Sequence, residues 1–509
     1  IGAGLSPARG TGALAALMTE WPNIAAACRY SMSREHRASA LRALMELRRF
    51  FLVEDRIADL EPLIAAVDPC SLSGAEERAA YEELSSLCSW FDLDLDSLRE
   101  RSREASRSWL AAGNETAARR SELIALAFGT MSEKDIHLAA DRIEESACFF
   151  LNEGNRVLAS EAWTRACARL ALHDRVDPER AFAALDKAAA LARELDDIIL
   201  RAECAWFSGL KAQWLGDGTL LNESVSELIA IDRELDSPLM LADAMRLLSD
   251  WRYEQGDYEG ALQAAGESRQ RYGMLGHRML SLQRRIIESE CLTALGRPDE
   301  AMALLSEGAR EAGESILGAT LSYRLALQLA SAGRLAEAFA ELENARAATA
   351  PGSPNRVRFT FFLARLSLSA GEDGAAEKGF LEVEPILRGG GFEDYIQPLD
   401  RYLAFLRAPH GPEGAVSFIR EALKSGVMTS NPFETAWLLA ILSRALAAKG
   451  VLPPALRAAR IADAYAQTLT NTFNYPERAV FSRLVASVQA GFQETYQTKP
   501  LPEIGRAHV

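Results

Sequence analysis

The chain has 509 residues and a formal net charge of −15. That length is too great for one compact core, and the acidic balance argues against a broad nucleic-acid footprint, which needs clustered Lys and Arg. Ala, Leu, Arg and Glu dominate, and no run alternates between apolar and polar long enough to argue for a sheet, so helix is expected throughout.

Residues 1–12 carry Gly, Pro and Ser without apolar periodicity and read as a loop or the remnant of an upstream linker. Residues 13–96 read as an irregular N-terminal helical segment. A short helix leads to Trp21-Pro22-Asn23-Ile24, where Pro22 suits the first turn of the next helix. Further helices are expected at about 34–53, 56–67 and 75–90. Asp92, Asp94 and Asp96 have the beginning of a calcium-loop spacing. Ser97 and Arg103 stand where such a loop needs Gly and Glu, so Asp96 reads as a helix cap.

From residue 97 to 470 a repeat is legible. Turn glycines stand at Gly113, Gly154, Gly216, Gly256, Gly296, Gly333, Gly371, Gly411 and Gly450, spaced about 40 residues apart from Gly216 onward. A small residue lies seven positions before each: Ser106, Ala147, Gly209, Ser249, Ser289, Ala326, Ala364, Ala404 and Ser443. Ala follows most of them by four or five: Ala118, Ala159, Ala261, Ala301, Ala338, Ala376, Ala415 and Ala455. Two antiparallel helices joined by a short turn approach closely only where side chains are small, so the two columns are expected to meet. Leu221 replaces Ala after Gly216. The register slips between Gly154 and Gly216, where Asp177-Pro178 starts an extra helix. Either one helix is unpaired there, or first and second helices exchange roles before it. A closing helix is expected at 471–497 and a disordered tail at 498–509.

The pattern resembles the tetratricopeptide repeat, whose small residue, Gly-x-Tyr turn and second-helix Ala fall on Ser249, Gly256, Tyr258 and Ala261. The resemblance implies an all-α, right-handed superhelical solenoid of antiparallel helix hairpins. Its period is longer than the standard 34 residues. Glu20, Asn23, Ile24 and Ala27 also resemble the opening of the helical sensor domain in signal-transduction ATPase regulators of the LuxR and Streptomyces-antibiotic-regulator types. That likeness implies a sensor whose ATPase and DNA-reading modules lie outside this chain. The heptapeptide Glu503 to Val509 resembles the translation of a common sequencing adapter, so the chain is expected to be a fragment.

Chemistry is sparse. The phosphate-binding loop, the H-E-x-x-H motif and the nucleophile elbow are all missing, and the six histidines lie far apart in sequence. No enzyme activity, cofactor or metal is expected. The seven cysteines are scattered without a C-x-x-C pair, which fits reduced thiols and a cytoplasmic location. No apolar run approaches the roughly 18 residues of a membrane helix. What remains is a surface. If first helices line a concave face, its outward positions are Glu203, Trp206 and Gln213, then Arg246, Asp250 and Tyr253, then Gln283 and Glu290. Arg358, Arg365, Arg401, Trp437 and Arg444 follow. Aromatics with mixed charge in one half and arginines in the other suit a protein or peptide partner, or a small anionic effector. Direct nucleic-acid or membrane contact is not expected, and self-association is left open. The alternative function is a stand-alone scaffold for complex assembly, with no switching role.

Overall fold

The computed structural model describes residues 10–32, 36–53, 57–91, 95–127, 133–172, 177–235, 238–350, 352–389, 393–424, 432–467 and 475–496; the expectations for residues 1–9 and 497–509 lie outside them. Among the described residues the chain is helical, without strands, and it forms two compact units, Ile1–Cys291 and Leu292–Val509.

Unit 1 begins with α1 (Gly10–Met32), α2 (Arg37–Glu46), α3 (Arg48–Val53) and α4 (Ile57–Ala65). It continues through α5 (Ala75–Phe91), α6 (Leu95–Ala111), α7 (Glu115–Ala127), α8 (Glu133–Asn152), α9 (Arg156–Leu172) and α10 (Pro178–Leu195). Next come α11 (Ile198–Leu215), α12 (Gly218–Leu235), α13 (Pro238–Glu254) and α14 (Tyr258–Met274). Helix α15 (Arg278–Ala294) crosses the boundary. Unit 2 holds α16 (Pro298–Ala312), α17 (Ile316–Ser331), α18 (Leu335–Ala348), α19 (Pro354–Ala370), α20 (Asp373–Arg388), α21 (Glu393–Arg407), α22 (Pro412–Lys424), α23 (Pro432–Ala448), α24 (Leu452–Gln467) and α25 (Tyr475–Tyr496).

The hairpin turns follow from local chemistry. Gly256 sits at φ +80°, a left-handed conformation that ends α13 without a Cβ penalty. Asp257 then caps α14, its carboxylate accepting from the Gly260 N–H at 3.0 Å. Gly113-Asn114, Gly154-Asn155 and Gly216-Asp217 repeat this stop-and-start pair. Gly411 departs from the expected set. Its φ is not positive, and the chain turns through Ala408 to His410 instead.

Beyond each turn the small residues are buried at the helix seam. Ser249, Ala261, Ala326, Ala338, Ser443 and Ala455 have no exposed surface. The Ser443 hydroxyl donates to the Ala455 carbonyl at 2.8 Å, which places that crossing directly. Ala261→Leu is expected to overpack its seam and cost about 1–3 kcal/mol; an unchanged thermal midpoint by circular dichroism would mean the seam has slack. Gly209 serves a different neighbour. A Cβ there would come within 2.5 Å of Leu247 on α13, so its smallness admits the next hairpin, while Leu221 is fully buried on α12.

The odd-numbered helices also touch one another, α7 to α9 to α11 to α13 in unit 1, and α17 to α19 and α21 to α23 in unit 2. This more crowded side is the inner row. The slip between Gly154 and Gly216 is resolved by an exchange of roles. Helix α10 packs on α9 and on α11, so no helix is unpaired. Before it the inner helix follows the turn glycine; after it the inner helix precedes the glycine.

The N-terminal helices join this stack. Arg49 on α3 donates from both terminal nitrogens to Asp197, at 2.8 and 2.9 Å, while the same carboxylate caps α11. Arg48 reaches Glu161 on α9 at 3.2 Å. Helix α1 runs through Pro22 and does not restart there. Trp21 explains the difference: it packs edge-on against Phe51 and donates to Asp59, so tertiary contacts offset the hydrogen bond that proline removes.

Candidate functional site

In unit 1 the expected positions on α11 and α13 lie on neighbouring inner helices. Trp206, Arg246, Asp250 and Tyr253 are all half-buried. The Arg246 guanidinium lies over the Trp206 ring at 5.2 Å from its centroid, a cation–π arrangement. Gln213 donates to the Leu247 carbonyl at 3.0 Å, and Glu203 accepts from Arg165 at 3.1 Å. Tyr253 meets Tyr258 edge to face. On α15, Gln283 is half-buried and Glu290 is buried.

Three residues outside the expected set complete the arrangement. Arg284 donates to Asp250 at 2.9 Å across α15 and α13. Tyr272 on α14 donates to Asp243. Burial alone would lower the pKa of Arg246. Tyr272, Asp250 and Asp243 around it outweigh that and hold it above its ordinary value. Burial raises Asp243 above the usual carboxylate range. The surface therefore offers a fixed cation over a half-buried indole ring, backed by carboxylates.

In unit 2 the corresponding row is covered. Helix α25 packs on α24 and also reaches α17, α19 and α23. Its buried positions include Pro476, Glu477, Val480, Phe481, Leu484 and Val488, a single helical stripe that carries one carboxylate. Glu477 Oε1 accepts from Arg365 at 2.7 Å and from the Tyr402 hydroxyl at 3.0 Å. Burial alone would lower the pKa of Arg365, but Glu477 beside it raises it above the ordinary value. Phe481 meets Trp437 edge-on at 4.8 Å, and Trp437 continues through Tyr402 to Phe380 in an aromatic core.

Arg365, Arg401 and Trp437 are thus buried within unit 2. Arg401 pairs with Glu434, and Arg444 pairs with Asp373 at 2.8 Å. Arg358 donates to Asn355 at 2.9 Å. Sequence reasoning passed over Glu477, Tyr402 and Phe481. A signal was present, because Glu477 stands four residues before Phe481 and seven before Leu484, on an apolar stripe where a carboxylate needs a partner.

Among the described residues, no group of three or more His, Cys, Asp and Glu side chains is placed to hold a metal ion. Burial pushes the thiols of Cys167, Cys204 and Cys291 up to about 12, which keeps them protonated and poorly nucleophilic. No described helix is long and apolar enough to cross a membrane.

No protein-family model matches the chain, and no curated protein matches it. Solved structures do. A human IFIT1 dimer with a capped RNA is similar at 11% identity, over 88% of this chain and 95% of that one, with a TM-score of 0.39. A Rap protein complexed with competence and sporulation factor is similar at 15% identity, over 75% and 99%, with a TM-score of 0.38. A signal-transduction ATPase with a tetratricopeptide-repeat sensor, from Pyrococcus horikoshii, is similar at 13% identity, over 68% of this chain and 54% of that one, with a TM-score of 0.34.

Proposed function

We propose that this chain is the ligand-sensing, partner-binding part of a cytoplasmic, bacterial-type transcriptional regulator. It engages a peptide or small anionic effector on the inner row of unit 1 and needs no cofactor of its own. The observation that carries the reading is the line of half-buried Trp206, Arg246, Asp250 and Tyr253 on successive inner helices. Arg246 is held charged there and presents its guanidinium over an aromatic face. Such a pairing suits a carboxylate or phosphate bound beside an apolar group. The sensor-like residues Glu20, Asn23, Ile24 and Ala27 on α1 supply the regulatory part of the proposal.

The test is a thermal-shift screen of acidic peptides and anionic metabolites against the wild-type chain and a Trp206→Ala, Arg246→Ala, Tyr253→Ala variant. A ligand present at 100 times its Kd is expected to stabilise the wild type by about 2.7 kcal/mol. The variant should show no such gain. Equal stabilisation of both proteins would place the site elsewhere.

A further inference from the structure

The inner row of unit 2 sets two buried arginines among aromatic rings. Arg365, Arg401, Tyr402 and Trp437 come from three successive inner helices, α19, α21 and α23, and all are buried there. Helix α25 lies against this row through one apolar stripe and one carboxylate, and Arg483 donates to the Leu368 and Ser369 carbonyls at the end of α19. The fit of the polar groups is incomplete. Glu477 Oε1 takes all of its carboxylate's hydrogen bonds, whereas Oε2 is buried and accepts none among the described residues. The Trp437 Nε1 and Arg401 Nε donors are likewise buried without an acceptor there. Each such group loses its hydration without recovering a hydrogen bond, so the resident helix holds its place at a penalty that a better-matched occupant would avoid.

The two ends of α25 differ as well. Around Glu477 it is buried, but Gln493, Glu494 and Thr495 near its end are exposed. Helix-in-groove recognition uses the arrangement seen here: apolar anchors at i, i+3, i+4 and i+7 laid into a hydrophobic cleft, with a charged pair fixing register.

We propose that the inner row of unit 2 is a binding groove for an acidic amphipathic helix from another protein, and that α25 occupies it as an internal competitor. The incoming helix carries a carboxylate for Arg365 and Tyr402 at the position of Glu477. Its apolar stripe matches Val480, Phe481 and Leu484. This groove is separate from the unit 1 surface, and either proposal stands if the other falls.

The experiment uses the full chain and, as probe, a fluorescently labelled peptide of residues 475–496. Phe481→Ala weakens the docking of α25 while leaving every groove residue in place. The variant is expected to bind the peptide about tenfold or more tightly than the wild type, because a larger fraction of it presents an open groove. A peptide with Lys in place of Glu at position 477 should not compete. Equal binding to both proteins, or none to either, with the variant folded, overturns the proposal. A mass that doubles in light scattering without peptide uptake also overturns it, in favour of α25 from a second copy. Should Phe481→Ala fail to fold, hydrogen exchange on the wild type decides. Amides of α25 are expected to open before those of α19; exchange of both only on unfolding of the whole unit would make α25 an integral core helix.

Discussion

Glu477→Ala is expected to destabilise unit 2 by about 3–5 kcal/mol, because it strands the buried Arg365 guanidinium without its counter-charge. Arg365 and Glu477 have almost no exposed side-chain surface, 6% and 0%, so water cannot replace the lost partner. Removing both charges should cost far less. Arg365→Met with Glu477→Met is expected to regain most of the loss, since a buried ion pair owes much of its strength to attraction that only offsets desolvation. Urea unfolding followed by tryptophan emission reads this directly. Trp437 is the only one of the eight tryptophans beyond residue 291, so the difference from a Trp437→Phe protein isolates unit 2. A double variant as unstable as the single one would mean that the pair sets α25 in place by geometry and not by charge balance.

Glu83 on α5 plays a comparable part in unit 1, and Glu83→Ala is expected to cost about 3–5 kcal/mol there. Its carboxylate is 2% exposed and accepts from Trp109 Nε1, from both Nε and Nη2 of Arg120 and from the Ser121 hydroxyl, each at 2.8 Å. One side chain therefore ties α5 to both α6 and α7. Burial alone would raise its pKa, but Arg120 and the hydrogen bonds to it hold the carboxyl below its ordinary value. The sign of the pH effect follows. A group whose pKa is depressed on folding adds stability above its unfolded value, about 4.3 for Glu, and that stability is lost as pH falls through the folded value. Acid titration of unfolding should show this loss in the wild type and a flatter profile in Glu83→Gln. Parallel acid profiles would assign the acid sensitivity to other carboxylates.

The two predictions rest on contacts that differ in reach. Glu83 is 26 residues from Trp109 and 37 from Arg120, within adjacent hairpins. Arg365 and Glu477 are 112 residues apart. The hairpin turns were readable because their cause is local. A left-handed Gly, an Asx cap one residue later and small residues at fixed offsets act over a few turns of helix. Pro22 shows where local reasoning fails, since Trp21 binds Asp59 and keeps α1 continuous across it.

The candidate site divides along the same line. Trp206, Arg246, Asp250 and Tyr253 could be placed on inner helices by counting back from turn glycines, and they stand together on α11 and α13. Their partners Arg284 and Tyr272 come from later helices, whose rotation about their own axes the repeat pattern does not specify. In unit 2 the same counting gave Arg365, Arg401 and Trp437 as an open surface, and they are buried.

The sequence alone determined the helical class, the hairpin turns and the seams at which small residues meet. These depend on backbone conformation and side-chain volume over short distances. Only the tertiary structure decided which inner-row residues stay half-buried and which are covered by α25. A periodic apolar stripe states that one helix face needs a partner. Which distant face it takes depends on three-dimensional fit and on a single carboxylate matched to a single arginine.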